Sequence, residues 1–228
     1  MSNWQDELGV FDLETTGIDV ESARIVSAHV GVIGADGAVL SRLDWLLDPG
    51  VEIPAQATAV HGITTQRARS EGRTAAEGVA EIVAAIRTLL ERDIPVVAYN
   101  AAYDLTLLNR EAQRHGIAPL IDPSPVVDPL VIDKAVDKYR KGKRTLEVTS
   151  EFYGVSLTGA HDAGADAIAA GRVAQALARA YPAVLDIEAG ELHALQVGWC
   201  SEQAADFQSY MRRMKDPDFT TSGAWPVR

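Results

Sequence analysis

Hydrophobic and polar positions follow two different periods along this chain, and the change between them marks out the elements. Residues 8–13 are a short apolar run that ends in carboxylates, which predicts a buried strand. Residues 24–33 and 38–47 read as two more strands, joined by the turn-like Gly34-Ala35-Asp36-Gly37. Three antiparallel strands in a row are the expected result, and Asp48-Pro49-Gly50 ends the third. Residues 51–72 read as a long irregular connection containing His61-Gly62-Ile63-Thr64, of the length that usually serves function.

A helical period takes over at residues 74–91, where Val79, Ile82, Val83, Ile86, Leu89 and Leu90 share a broad face. Residues 95–99 are a short apolar strand. Asn100 is an N-cap candidate for a helix over 103–115 that Gly116 ends. A short extended segment at 126–128 precedes another helix. Residues 145–153 are helical up to Gly154, and 162–181 form an Ala-rich helix with side chains small enough to pack closely on a sheet. A meander followed by alternating strands and helices predicts a mixed α/β sheet with helices packed on it. Pro182 marks a break. The expected division is a domain over 1–181 and a helical extension over 182–228, in which Leu192, Leu195, Trp199, Phe207, Tyr210 and Met211 recur at helical spacings and are expected to dock on the domain's own surface.

The 228 residues, 47% hydrophobic and 23% charged, can bury a core. The single cysteine, Cys200, allows no internal disulfide. The first seven residues lack the basic start and apolar run of a signal peptide, and no stretch is long and apolar enough to span a bilayer. A cytoplasmic protein without a membrane partner is the expectation. A formal net charge of -11 argues against non-specific coating of nucleic acid. Lys138, Arg140, Lys141, Lys143 and Arg144 nevertheless gather around Tyr139, and Arg140, Lys141, Lys143 and Arg144 are candidates for contact with a phosphate backbone.

Asp12 and Glu14 lie two apart on the first strand, so they share one face while Phe11 and Leu13 take the other. The apolar neighbours suggest a central strand, where unpaired carboxylates are costly and a bound cation removes the cost. Two carboxylates at one strand end suit hard ions such as Mg²⁺ or Mn²⁺. Asp104 sits in the first turn of a predicted helix, where the helix dipole alone favours Asp. Asp166 lies about one turn into the Ala-rich helix, and His161 precedes it by five residues.

Each element is weak alone; their order and spacing together are specific. Phe11-Asp12-Leu13-Glu14-Thr15-Thr16-Gly17, the run from Val97 to Asp104 and the run from Ala160 to Ala167 resemble the three motifs of the DEDDh 3′–5′ exonucleases, the family of the proofreading epsilon subunit of bacterial DNA polymerase III. Asp48-Pro49-Gly50, Ile53-Pro54, His61-Gly62-Ile63-Thr64 and the stretch from Tyr139 to Val155 match as well, and the resemblance spans residues 8–178. Tyr99 stands where the family often has His. Gly164 replaces a more usual apolar residue, at a helix-propensity cost of about 1 kcal/mol relative to Ala.

The resemblance implies a ribonuclease H-like mixed sheet, three antiparallel strands followed by parallel ones, with helices on both faces. It implies that Asp12, Glu14 and Asp166 hold one divalent cation, Mg²⁺ or Mn²⁺, and that Asp12 with Asp104 holds or orients a second. His161 is then the general base, since a neutral imidazole accepts a proton near neutral pH. Leu13, Thr15, His61 and Tyr103 would lie beside the terminal nucleotide, although His61 reads equally well as a loop residue bonding its own backbone. The implied reaction releases nucleoside 5′-monophosphates from a nucleic acid 3′ end, DNA more than RNA, in proofreading or repair beside a polymerase or other replication or repair protein. An RNA-trimming enzyme of the same family and a catalytically silent nucleic-acid or polymerase-binding module are the alternatives.

Overall fold

A computed structural model describes residues 3–157, 159 and 161–228; Ala160, at the start of the third motif, lies outside the described residues. The expected meander is present as β1 (Glu7–Thr15), β2 (Ile25–Gly34) and β3 (Val39–Asp48). Asp12 pairs across from His29, and Glu14 from Ser27. Short β4 (Arg73–Thr74) runs parallel to β3. On the other side, β5 (Val96–Val97) runs parallel to β1, and β6 (Val126–Val127) parallel to β5. The sheet order is β4-β3-β2-β1-β5-β6, the mixed α/β arrangement anticipated, with β1 inside the sheet between β2 and β5.

Alternation along β1 sends its side chains into two cores. Phe11 and Leu13 pack with α3 (Ala75–Glu91) and α4 (Ala101–Arg114) on one face. Leu8 and Val10 pack on the other with α5 (Pro129–Val136) and α7 (Ala163–Ala180). Asp12 and Glu14 continue this second face. Gly171 lets α7 approach it: a Cβ there would lie 2.6 Å from Val10 Cγ1 and 2.7 Å from Ile33 Cδ1.

The segment 51–72 differs from the expected irregular connection. It carries two short helices, α1 (Ala55–His61) and α2 (Thr65–Glu71). Gly62, at φ 75°, ends α1, and Thr64 caps α2 by accepting from the Arg67 N–H. Helix α1 buries none of its residues and α2 only Ala68, so no apolar stripe announces them. Helix α4 begins at Ala101, and Asn100 makes no side-chain cap. Its backbone instead takes a left-handed conformation, φ 66° and ψ 44°, and its N–H and that of Ala101 donate to the Asp128 carboxylate at 3.0 and 2.9 Å.

Helix α6 (Leu146–Phe152) follows, then α7, α8 (Pro182–Leu185) and the 26-residue α9 (Ala189–Met214). Helix α9 lies along edge strand β6 and completes its hydrogen bonding with side chains. The Val126 N–H donates to His193 Nδ1 at 3.1 Å, and Gln196 Nε2 donates to the Val126 carbonyl at 3.0 Å. Leu192 and Trp225 are buried, whereas Leu195, Phe207 and Tyr210 remain exposed. Among the described residues, no helix is long and apolar enough to cross a membrane.

Candidate active site

Strand β1 and helix α7 bring three acidic side chains together where β1 emerges from the sheet. One carboxylate oxygen each from Asp12, Glu14 and Asp166 lie within 4.8 Å of one another. Asp162 caps α7 by accepting from the Ala165 N–H at 3.0 Å, which sets Asp166 one turn inside the helix. Asp166 Oδ2 accepts the His161 backbone N–H at 3.2 Å, while Oδ1 is buried with no hydrogen-bond partner among the described residues.

The carboxylates oppose one another's ionisation. Burial raises Asp12 well above the ordinary aspartate range, and the charges of Asp104, Glu14 and Asp166 raise it further. Burial, followed by Asp166 and Asp162, pushes Glu14 up to about 8. Asp166 is raised by burial, with the His161 N–H pulling the other way. Like charges gathered at this half-buried point are relieved by protonation or by a cation, and three oxygen donors, with an Asp166 oxygen that has no hydrogen-bond partner among the described residues, could hold a hard divalent ion.

Asp104 approaches from α4. It is buried and is the neighbouring charge that raises Asp12 most, but it stands outside the tight three-oxygen group. Burial raises its pKa, against the pull of its own and the Leu13 backbone N–H. His161 sits at the rim in a left-handed conformation, φ 68°, with its side chain 49% exposed and Nε2 3.7 Å from Glu147 Oε1. Asp12, Glu14 and Asp166 thus converge, Asp104 is close enough for its charge to act on Asp12, and His161 is tied to Asp166 through its backbone N–H.

The neighbouring residues divide. Thr15 Oγ1 and Tyr103 Oη lie 2.7 Å apart, and both bond to the Gly17 carbonyl, which ties the end of β1 to α4. Leu13, expected beside a substrate, is 6% exposed and packs in the core. His61 Nδ1 accepts the Ile63 N–H at 3.1 Å, the local backbone bond anticipated for it. The ring also faces the site: burial lowers its pKa, opposed by the Thr15 backbone and reinforced by His161. A cleft of about 340 Å³ runs from Ser27 and Trp45 past Arg67 to His61, His161 and Asp162.

The basic run departs from expectation. The Arg140 and Arg144 guanidiniums turn inward onto Oδ2 of buried Asp133, each at 2.5 Å, and Tyr153 donates to Oδ1 at 2.8 Å. Both arginines are thereby withdrawn from a phosphate backbone, and Lys138 pairs with Asp206 at 3.1 Å. Lys141 and Lys143 stay exposed.

Both departures from the family motifs have local explanations. Tyr99 Oη donates to the Arg144 carbonyl and shares a bond with Thr149 Oγ1, each at 2.8 Å, so it fastens the second motif to α6. At Gly164 a Cβ would lie 2.7 Å from Arg42 Nη2 and 3.2 Å from His29 Nδ1. His29 is fully buried with Nδ1 2.7 Å from Asp44 Oδ1. Nothing in the local sequence marks His29, Asp44, Asp128 or Asp133, because their surroundings depend on long-range pairing.

The RNase T exonuclease family matches residues 10–174. The chain belongs to this exonuclease family. Relatives of the family include the PolC-type DNA polymerase III of Lacticaseibacillus paracasei, 27% identical over 171 residues, covering 75% of this chain and 11% of the polymerase. The PolC-type polymerase of Streptococcus pyogenes serotype M18 is 28% identical over 167 residues, covering 72% and 10%. The chain therefore spans about a tenth of the polymerases it matches. Among solved structures, E. coli exonuclease I in complex with a dT13 oligonucleotide superposes with a TM-score of 0.64 at 21% identity, over 79% of this chain and 43% of that one. Exonuclease I from Methylocaldum szegediense gives 0.60 at 21%, over 78% and 42%. These likenesses establish the shared fold.

Proposed function

We propose that this exonuclease-family chain is a metal-dependent 3′–5′ exonuclease that hydrolyses the terminal phosphodiester of single-stranded or frayed DNA and releases nucleoside 5′-monophosphates. The observation that carries this reading is the convergence of Asp12, Glu14 and Asp166 within 4.8 Å, with an Asp166 oxygen that has no hydrogen-bond partner among the described residues, flanked by Asp104 and His161. Asp12, Glu14 and Asp166 would hold one Mg²⁺ or Mn²⁺, and Asp12 with Asp104 a second. Such ions supply the charge that activates a water and stabilises a leaving oxygen.

The chain's own groups do the rest. His161, half-exposed at the rim with Nε2 3.7 Å from Glu147 Oε1, takes the proton of the attacking water on its imidazole. The linked Thr15 and Tyr103 hydroxyls and the locally braced His61 form the walls for a terminal nucleotide. Lys141 and Lys143 remain available to a phosphate backbone.

The DNA preference is supported by exonuclease I, whose structures include a dT13 complex, and by the polymerase relatives, which also favour a replication or repair setting in the cytoplasm with a polymerase partner. The complete carboxylate and histidine set weighs against a silent binding module. Chromatography of the products from matched DNA and RNA oligomers tests the reading. Deoxynucleoside 5′-monophosphates released faster than their ribose counterparts support it, faster RNA digestion favours the RNA-trimming alternative, and no product from either favours the silent module.

A further inference from the structure

Asp104 is bracketed by contacts that originate in residues 182–228. On its N-terminal side, the turn into α4 is held by Asp128: Oδ1 accepts the Asn100 N–H at 3.0 Å and Oδ2 the Ala101 N–H at 2.9 Å. Asn100 is left-handed there, a conformation Asn tolerates better than most residues and that these two bonds hold in place. Asp128 is itself fixed from α9. Its backbone N–H donates to Oε1 of fully buried Gln196 at 2.6 Å, and Gln196 Nε2 donates to the Val126 and Leu192 carbonyls. Buried Trp225 lines the same cleft as Asp128 and packs at a 46° tilt against His193, ring centroids 4.9 Å apart, the histidine that accepts the Val126 N–H. On the C-terminal side of Asp104, the Arg228 N–H donates to Thr106 Oγ1 at 2.9 Å.

A helix recruited only to cover an edge strand needs an apolar face. Helix α9 buries Leu192 and packs Trp199 against the core, but Leu195, Phe207 and Tyr210 stay exposed and its other fully buried residue is the polar Gln196, which leads through Asp128 to the turn that carries Asp104. We propose that residues 182–228 position the second metal-facing carboxylate: Gln196, through Asp128, Trp225, packed on His193 in the same cleft as Asp128, and the Arg228 backbone, through Thr106, fix the turn of α4 that bears Asp104. The inference rests on the metal-dependent reading above. Gln196, Trp225 and Asp128 are positioning residues, and none of them belongs to the group that holds the first ion.

The test is a Mn²⁺ titration of the metal-free full chain, followed by electron paramagnetic resonance without nucleic acid. It compares wild type with Gln196→Leu, Trp225→Ala and Trp225→Phe, each with its melting temperature. Wild type is expected to bind two ions. Gln196→Leu and Trp225→Ala should keep the ion at Asp12, Glu14 and Asp166 but weaken the second by about 10–100-fold, the range for groups that orient ligands. On a short oligomer kcat should fall with KM within about twofold, the pattern of an interaction made only in the transition state. Trp225→Phe should restore the second ion. If Gln196→Leu does not fold, the Trp225 pair decides. Folded variants that bind both ions with wild-type affinity overturn the inference. A wild type that binds two ions yet digests nothing would refute the exonuclease reading, while the Mn²⁺ series still judges the positioning role.

Discussion

Asp166 and His161 are joined through the backbone: the His161 N–H donates to Asp166 Oδ2 at 3.2 Å, and this leaves Oδ1 buried beside Asp12 and Glu14 with no hydrogen-bond partner among the described residues. One bond therefore orients both the helix-borne ligand and the loop that carries the histidine. Asp166→Asn keeps the shape and removes the charge. Its turnover should fall by more than about 100-fold, beyond the range for merely supporting groups. Its metal-free melting temperature should rise, because an uncompensated buried charge has gone. Kinetics and thermal melts in EDTA check both.

The raised carboxylates make metal-free stability fall as pH rises. For Glu14 the folded value is about 8 against an ordinary 4.5, so between these values the folded state binds more protons than the unfolded. Stability is then highest below about pH 4.5 as far as this group is concerned, declines through the window and has lost its full share above pH 8. Asp12 and Asp166 act in the same direction. Melts in EDTA from about pH 5 to about pH 8, compared with the Glu14→Gln variant, should show the decline. Mn²⁺ at about 100 times its Kd should add about 2.7 kcal/mol and reverse it by roughly 5–10 °C.

Gly164→Ala gains helix propensity of about 1 kcal/mol but forces contacts on the ring of His29 and the capping Asp162 oxygen, both 3.2 Å from the added carbon. The Arg42 tip can swing aside, since it is half-exposed; His29 is fully buried and cannot. Overpacking of this kind costs about 1–3 kcal/mol. The variant should melt lower than wild type, and denaturant titration gives the difference.

The two halves of the basic run should separate in experiment. Asp133→Ala leaves the Arg140 and Arg144 guanidiniums buried without this carboxylate and should cost about 3–5 kcal/mol of stability. Lys141→Ala with Lys143→Ala should leave stability unchanged within about 0.5 kcal/mol. That double variant should weaken DNA binding and flatten its salt dependence by about one unit of slope for each lysine that meets a phosphate. Melting and fluorescence-anisotropy titrations over a salt series distinguish them.

The meander is legible in the sequence because β1, β2 and β3 alternate or run apolar between turn residues, and Asp12 and Glu14 follow from that period. Asp104, Asp166 and His161 are legible from spacing and family resemblance together. Helices α1 and α2 are not, since neither buries a stripe. Asn100 looks like a side-chain cap until its turn is seen to be held by Asp128, 28 residues on. Arg140 and Arg144 look like surface charges because Asp133, the carboxylate that draws them inward, is buried only once α5 packs against α7. Interactions set by tertiary pairing leave no local pattern to read.

The most direct test follows a 5′-labelled single-stranded DNA oligomer on a sequencing gel with wild type and Asp166→Ala, in Mg²⁺, Mn²⁺ or EDTA. The predicted result is a ladder that shortens from the 3′ end with either ion and is absent in EDTA and in the variant. Digestion that persists in EDTA or in Asp166→Ala, or label released at once from the 5′ end, would contradict the account.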